Sequence, residues 1–348
     1  MRVGLLVLIA AAAFAQSPAE SELRDGVALT SRGQFEQAIP HFLAVRGQVS
    51  NSFALEFNLA LCYVGTRQFK EAVQILEQLP ASARTKSLLA QALVGDHQEQ
   101  AAWKAFSEGA TIAPKDESLY TLVSQACLDE AMPALARKVL EAGLGNLPES
   151  AKLHFQKGVL ESQQDDAEAA TREFQRVQSL APDSEIAYIA TAEQALYAGR
   201  MPDVIRATRE GIQKGYQHYL LLTMLGEALL RSGATPDTHA EFNEAQAALE
   251  NAVAARPSYP SSHIALGRIY LILGRTADAT AQLETGRRLD PRNKAVYPPL
   301  AGAYQRSGQP DRAKEALAAL AELNKEDAAR TRAADGGHAG YVSGKKKP

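Results

Sequence analysis

The sequence predicts an all-α protein built from repeated pairs of helices. The first observation is a small residue that returns nine times, at intervals of 34, 30, 34, 34, 34, 41, 34 and 34 residues, in most cases with a bulky residue four positions later. The second is another small residue twelve positions before most of these, and the third is a proline twelve positions after most of them. A fixed period of this length is typical of repeat architectures. The recurring small residues are Ala38, Ala72, Ala102, Ala136, Ala170, Val204, Ala245, Ala279 and Ala313.

The residues between these marks have the spacing of amphipathic helices. Apolar residues recur at helical intervals, as in Leu266, Ile269 and Tyr270. Small residues near the middle of both helices of a pair let the two axes approach closely. Gly274 is predicted to end a first helix, and Pro291 to stop the second helix that follows it. The recurring glycines are therefore predicted to be packing positions, and not a phosphate-binding loop.

The stretch "ALGRIYLILGRTADATAQLETGRRLDP", residues 265–291, resembles a tetratricopeptide repeat. The resemblance extends over nine units that begin near residues 19, 53, 83, 117, 151, 185, 219, 260 and 294, so that the array covers residues 19–325. It implies an α-solenoid, a right-handed superhelix of stacked helix pairs with a concave inner face, in which each repeat contacts only its neighbours.

Two intervals depart from 34 residues. The shorter one lacks four residues around 79–82, which is about one helical turn. The longer one adds seven residues in the seventh unit, where Thr235 and Pro236 predict the start of a longer second helix. A lip over the binding groove, near residues 233–242, is the alternative interpretation of this insertion.

The end of the array is also irregular. Pro298 and Pro299 predict that the first helix of the ninth unit starts late or is kinked. Residues 326–348 contain few apolar residues and two adjacent glycines, and they are predicted to form a disordered tail.

The N-terminus predicts export. Arg2 precedes an apolar run over residues 3–14, and Ala13-Phe14-Ala15 has the pattern of a signal-peptidase site, so that residues 1–15 are expected to be removed. The mature chain would lie in the periplasm or be secreted, without a transmembrane anchor. A retained anchor is the alternative, but the run is short for a bilayer.

The composition predicts no enzymatic or nucleic-acid chemistry. The 37 Lys and Arg residues against 40 Asp and Glu residues give a net charge of −3, which provides no basic field for nucleic acid. No catalytic, nucleotide-binding or metal-ligand motif is present, so that we expect no cofactor, no metal and no catalytic residue. The two cysteines, Cys62 and Cys127, are predicted to be buried and too far apart for a disulfide.

The resemblance also implies which residues line a binding groove, because positions 2, 5, 9, 12 and 13 of each first helix usually face inwards in this family. These positions are mostly polar in the units that begin near residues 83, 117 and 151, and mostly apolar, interrupted by charges, in the next three units. An apolar stripe rimmed by charges is typical of a binding surface. The alternative is that neighbouring units bury these side chains against one another. The candidate residues are Asn58, Arg84, Gln91, Gln125, Ile189, Glu193, Leu196, Tyr197, Glu227, Leu230, Arg231, Ile264, Arg268 and Leu271.

Asn58 and Arg84 stand where some relatives hold a partner's C-terminal carboxylate. The other positions of that clamp are Leu23, Val27 and Leu88, which cannot bind a carboxylate. We therefore do not expect a receptor for such a C-terminus, although Asn58 can still hydrogen-bond a peptide backbone.

The leading hypothesis is an exported, non-enzymatic scaffold or adaptor that binds a protein or extended peptide on its concave face. The first alternative is a structural component of an envelope or secretion complex that docks by its convex face. An enzyme or a glycan-handling auxiliary protein is the third. The identity of the partner and the oligomeric state are left open by the sequence.

Overall fold

The computed structural model describes residues 18–49 and 52–339, and their side chains as far as residue 329. The predicted signal peptide, residues 1–15, and the last residues of the predicted tail, 340–348, lie outside the described residues. The described part is helical and contains no β-strand. None of its helices is both long enough and apolar enough to cross a membrane. The prediction of an all-α fold is therefore confirmed.

The chain divides into two compact units, at Glu173 and Phe174. The first unit contains α1 to α9 and the beginning of α10, and helix pairs are stacked in it in sequence order. Its helices are α1 (Pro18–Ser31), α2 (Phe35–Ala44), α3 (Ser52–Gly65), α4 (Phe69–Leu76), α5 (Ala83–Gly95), α6 (Glu99–Ile112), α7 (Glu117–Asp129), α8 (Pro133–Asn146), α9 (Ala151–Gln163) and α10 (Ala167–Leu180).

The second unit contains the end of α10 and four further helix pairs. Within each unit, first helices pack on the first helices of neighbouring pairs and on the second helix of the preceding pair. The helices are α11 (Glu185–Tyr197), α12 (Met201–Gln213), α13 (Tyr219–Arg231), α14 (His239–Ala255), α15 (Pro260–Ile272), α16 (Thr276–Leu289), α17 (Tyr297–Arg306) and α18 (Pro310–Ala339). The odd-numbered helices begin within one residue of eight of the nine predicted unit starts. The ninth start, residue 294, opens a 3₁₀ turn over Lys294–Val296 that leads into α17.

The recurring small residues are packing positions, as predicted. All nine are at most 2% exposed. A Cβ added to Gly226 would lie 2.4 Å from Leu249 Cγ, and one added to Gly267 would lie 2.6 Å from Leu283 Cγ. The bulky partners are buried as well, except Leu317 in α18, which is 45% exposed and which no further helix pair covers among the described residues. Close packing of the two helices of a pair therefore depends on small side chains in the second helix and, in α13 and α15, on glycine in the first.

In the 30-residue interval, the second helix of the pair is short. Helix α4 has only 8 residues, whereas α6 and α8 have 14. A cavity of about 410 Å³ lies beside α4, and its lining includes Arg46 from the turn after α2 and Glu56 and Tyr63 from α3.

The predicted start of the second helix in the 41-residue interval was wrong. Helix α14 is longer than its counterparts, with 17 residues, but it begins at His239 and not after Thr235. The Thr238 hydroxyl donates to the Thr235 carbonyl oxygen and accepts from the Thr235 amide, both at 2.9 Å. These two bonds close a turn over residues 235–238, and the helix begins after it.

The tail prediction was wrong for residues 326–339, which continue α18 as far as Ala339. Glu326 forms an ion pair with Arg292 at 2.9 Å, and Asp327 one with Lys294 at 2.5 Å. These ion pairs connect α18 to the segment between α16 and α17. The alanines around residue 329 have high helix propensity. The ninth first helix starts late, as Pro298 and Pro299 predicted, because both prolines lie in the first turn of α17.

Both cysteines are free and buried, as predicted. Cys62 lies 3.2 Å from the Thr30 hydroxyl, and burial raises the pKa of the Cys127 thiol to about 12. Both thiols are therefore protonated at neutral pH and serve as small packing groups.

Candidate functional site

The first helices α13 and α15 expose a single stripe to solvent. In α13 only positions 1, 2, 9, 12 and 13 of the helix are accessible, and the same five positions are accessible in α15. Every other residue of these two helices is buried against neighbouring helices. This pattern matches four of the five positions that the family register predicts to face inwards.

We call the surface formed by positions 2, 9, 12 and 13 of α11, α13 and α15 the α11–α15 face. All of its side chains are half-buried or exposed. It lies entirely within the second unit, where α13 packs between α11 and α15. Its residues are Ile186, Glu193, Leu196 and Tyr197 of α11; Leu220, Glu227, Leu230 and Arg231 of α13; and Ser261, Arg268, Leu271 and Ile272 of α15.

Two predicted groove residues, Ile189 and Ile264, do not line this face. Both occupy position 5 and are only 4% exposed. A Cβ on Gly286 of α16 would lie 2.9 Å from Ile264 Cγ1, so Ile264 packs into the pair of α15 and α16. The interpretation that neighbouring helices bury these side chains is therefore correct at position 5, and the two isoleucines support the face from beneath.

Positions 12 and 13 form an apolar strip. Leu196, Leu230 and Leu271 at position 12 are half-buried, and Leu230 and Leu271 pack partly on the core. At position 13, Tyr197 is 41% and Ile272 is 48% exposed. The strip therefore presents apolar surface to solvent on three successive first helices, although Arg231 interrupts it at position 13 of α13.

Position 9 forms a charged row of Glu193, Glu227 and Arg268. Glu227 pairs with Arg231 at 3.4 Å. Burial raises the pKa of Glu227, and the positive charges of Arg231 and Arg268 partly oppose the increase. Burial also raises the pKa of Glu193, to about 7, and the negative charge of Glu227 adds to the increase. Among the described residues, no group donates a hydrogen bond to Glu193 or forms an ion pair with it.

Two tyrosines flank the charged row, and the family register did not include them. Tyr219 opens α13, Tyr259 immediately precedes α15, and their ring centroids lie 4.8 Å apart in an edge-to-face arrangement. Burial raises the pKa of Tyr259 to about 12, and the nearby charges of Glu193 and Glu227 contribute. The Arg256 guanidinium stacks 4.6 Å from the Tyr219 ring centroid and donates a hydrogen bond to its hydroxyl. The only sequence signal for them was the aromatic residue type next to a first-helix N-terminus.

The polar candidates of the first unit lie on successive first helices but mainly bond within their own helix. Asn58 Nδ2 donates to the Ala54 carbonyl oxygen at 2.7 Å, and Gln91 Nε2 to that of Ser87 at 3.2 Å. Gln125 donates to Asp129 at 2.8 Å, and Arg84 is exposed. These four residues form neither a charged cluster nor a metal site. Among the described residues, no group of three or more His, Cys, Asp or Glu side chains could hold a metal ion.

Comparison with known proteins identifies the repeat. The family model described as "Tetratricopeptide repeat" matches residues 29–96 and 239–298. No curated protein matches the chain.

A solved structure has the same fold. The crystal structure of the APC/C hetero-tetramer Cut9–Hcn1 aligns with a TM-score of 0.54 at 14% identity, over 88% of this chain and 61% of that one. The chain thus spans about three fifths of that protein's length. A thermophilic TPR protein of Thermus thermophilus aligns with a TM-score of 0.44 at 21% identity, over 53% of this chain and 98% of that one. At these identities the likeness concerns the fold alone.

Proposed function

We propose that this chain, which matches the tetratricopeptide repeat over residues 29–96 and 239–298, is an exported, non-enzymatic scaffold that binds a protein or extended peptide on the α11–α15 face. The fold supports a protein-interaction role in general. The observation that carries the choice of face is the strip of Leu196, Leu230, Leu271, Tyr197 and Ile272, which leaves apolar side chains accessible on three successive first helices. Apolar surface rimmed by charge is what a partner can bury with gain of free energy.

Export is the part of the proposal that rests on the N-terminal sequence. The apolar run over residues 3–14 and the small residues at 13 and 15 support cleavage after Ala15 and a periplasmic or secreted location. N-terminal sequencing of the mature protein tests this, with Gln16 expected as the first residue.

Binding is expected to depend on the two most exposed apolar residues of the face. Twelve-residue peptides selected from a random display library against the full chain supply the ligand, and fluorescence anisotropy measures its affinity. The double substitution Tyr197→Asp and Ile272→Asp is expected to weaken binding by more than about 30-fold, because each carboxylate would be desolvated against the ligand. Both sites are substantially exposed, so the fold should be retained.

The matched control is Leu317→Asp, an equally exposed leucine on the second helix α18. It introduces one carboxylate of the same kind away from the face and should leave the affinity unchanged. If the control weakens binding as much as the double substitution, or if the double substitution has no effect, the α11–α15 face is not the binding surface.

A second candidate function is docking by the second helices in an envelope assembly. It is favoured by Trp103 of α6, the single tryptophan of the chain, which is 37% exposed, and by Leu43 of α2, which is 45% exposed. Trp103→Ala should then disrupt capture of the partner, whereas the double substitution on the α11–α15 face should not.

A further inference from the structure

The carboxylate of Glu193 lacks the compensation that the other charges of the α11–α15 face have. Glu227 is balanced by Arg231 at 3.4 Å and by the nearby Arg268. Among the described residues, the one charge with a marked effect on the pKa of Glu193 is that of Glu227, which is also negative. A half-buried carboxylate without a counterion is unfavourable in the free protein, and a cation brought by a ligand would relieve that cost.

The surroundings of Glu193 suit a cation on an otherwise apolar chain. Leu196 and Tyr197 follow it on α11 with accessible apolar surface, and Tyr259 lies close enough for the charge of Glu193 to affect its hydroxyl. Aromatic rings and a carboxylate together bind ammonium and guanidinium groups well. The neighbouring ring of Tyr219 already holds such a group, the guanidinium of Arg256.

We propose that the α11–α15 face binds an extended segment in which one lysine or arginine is flanked by apolar residues, and that Glu193 accepts the cationic side chain. This inference rests on the proposed function, and adds to it the chemistry of the partner. Charge complementarity selects the cation, and the strip at positions 12 and 13 selects its apolar neighbours.

The spacing of the helices sets the spacing of the recognised residues. Axes of packed helices lie about 8–10 Å apart. A chain in the extended polyproline II conformation advances about 3.1 Å per residue and has three residues per turn, so that every third side chain lies on the same side. A ligand that places its cation at Glu193 on α11 therefore reaches Leu230 on α13 about three residues further on, and Leu271 on α15 about six residues further on.

The test uses the full chain and three synthetic peptides that differ at one position. Each peptide has leucines three and six positions after the varied residue on a serine and glycine background, with blocked ends, and the varied residue is lysine, norleucine or glutamate. Isothermal calorimetry measures the three dissociation constants. The lysine peptide is expected to bind about tenfold more tightly than the norleucine peptide, and the glutamate peptide most weakly.

The substitution Glu193→Gln is expected to lower the ratio of the norleucine and lysine dissociation constants from about ten to about one, because a neutral amide cannot form an ion pair with the ammonium group. Glu315→Gln, at an exposed glutamate of α18, is the matched control and should keep the preference. Equal affinities for lysine and norleucine in the native chain, or a lysine preference that survives Glu193→Gln, would overturn this inference and leave the proposed function standing. If the double substitution Tyr197→Asp and Ile272→Asp leaves binding of the norleucine peptide unchanged, the proposed function itself is overturned.

Discussion

Replacing Leu249 with alanine is expected to lower the local free energy of opening of α13 and α14 by about 3 kcal/mol. Leu249 is fully buried, and its side chain fills the space that Gly226 leaves open. Gly226→Ala is expected to cost about 1–2 kcal/mol, because the added methyl group would lie against a side chain that cannot move away, and this outweighs the better helix propensity of alanine. Native-state hydrogen exchange of the two helices measures both effects.

The double variant distinguishes packing from other causes. With Leu249 shortened, the new methyl group at residue 226 partly fills the cavity. The loss of free energy in the double variant should therefore be smaller than the sum of the two single losses by about 1 kcal/mol or more. Gly302→Ala is the control, because a Cβ there meets nothing within 4 Å, and it should be neutral or stabilising. Strictly additive costs would mean that Leu249 does not constrain the residue at position 226.

Replacing Glu193 with glutamine is expected to stabilise the protein by about 2 kcal/mol at about pH 8 and to have little effect at about pH 4. Folding raises the pKa of this carboxyl from 4.5 to about 7, mainly by burial and further by the charge of Glu227. Between these two values the native state holds a proton that the unfolded chain has released. The stability contributed by the protonated form of Glu193 is therefore complete below this window and is lost as the pH rises through it. The expected gain is smaller than the whole shift implies, because Glu193 is partly open to solvent.

The measurement is the free energy of opening of α11 by hydrogen exchange at several pH values, for the native chain and for Glu193→Gln. The Glu315→Gln variant accounts for the general effect of removing one negative charge. Parallel pH profiles for the native chain and Glu193→Gln would show that the face does not disfavour the charged carboxylate. A stabilising substitution that also removes a ligand preference is the pattern expected of a binding residue.

The helix pairs could be predicted from the sequence because their packing is local and repeated. Each buried alanine, such as Ala279, contacts only its own pair and the neighbouring pairs, so the same residue types recur at the same spacing. The period therefore indicated where most first helices begin. The period did not predict the exposure of Leu317, because among the described residues no helix pair packs on the far side of α18.

Features that depend on a single contact could not be predicted in the same way. In the continuation of α18 beyond residue 325, Glu326 and Asp327 form ion pairs with Arg292 and Lys294, which no repeat mark indicates. The start of α14 depends on the bonds between Thr235 and Thr238.

The candidate site was predicted only in part. Positions 2, 9, 12 and 13 lie on the accessible stripe, but position 5 is buried, and in α15 Ile264 packs on α16 at Gly286. Tyr219 and Tyr259 flank the helix starts, outside the five inward-facing positions, so the register could not include them. The lack of a counterion for Glu193 depends on which side chains surround it in three dimensions, and the sequence pattern does not contain that information.

Site-specific photo-crosslinking tests the central claim most directly. A benzophenone side chain placed at residue 197, 272 or 317 of the full chain is irradiated with the selected peptide, and mass spectrometry locates the products. Binding on the α11–α15 face predicts adducts from residues 197 and 272, each prevented by excess unlabelled peptide, and none from residue 317. Adducts from residue 317 alone would contradict the claim.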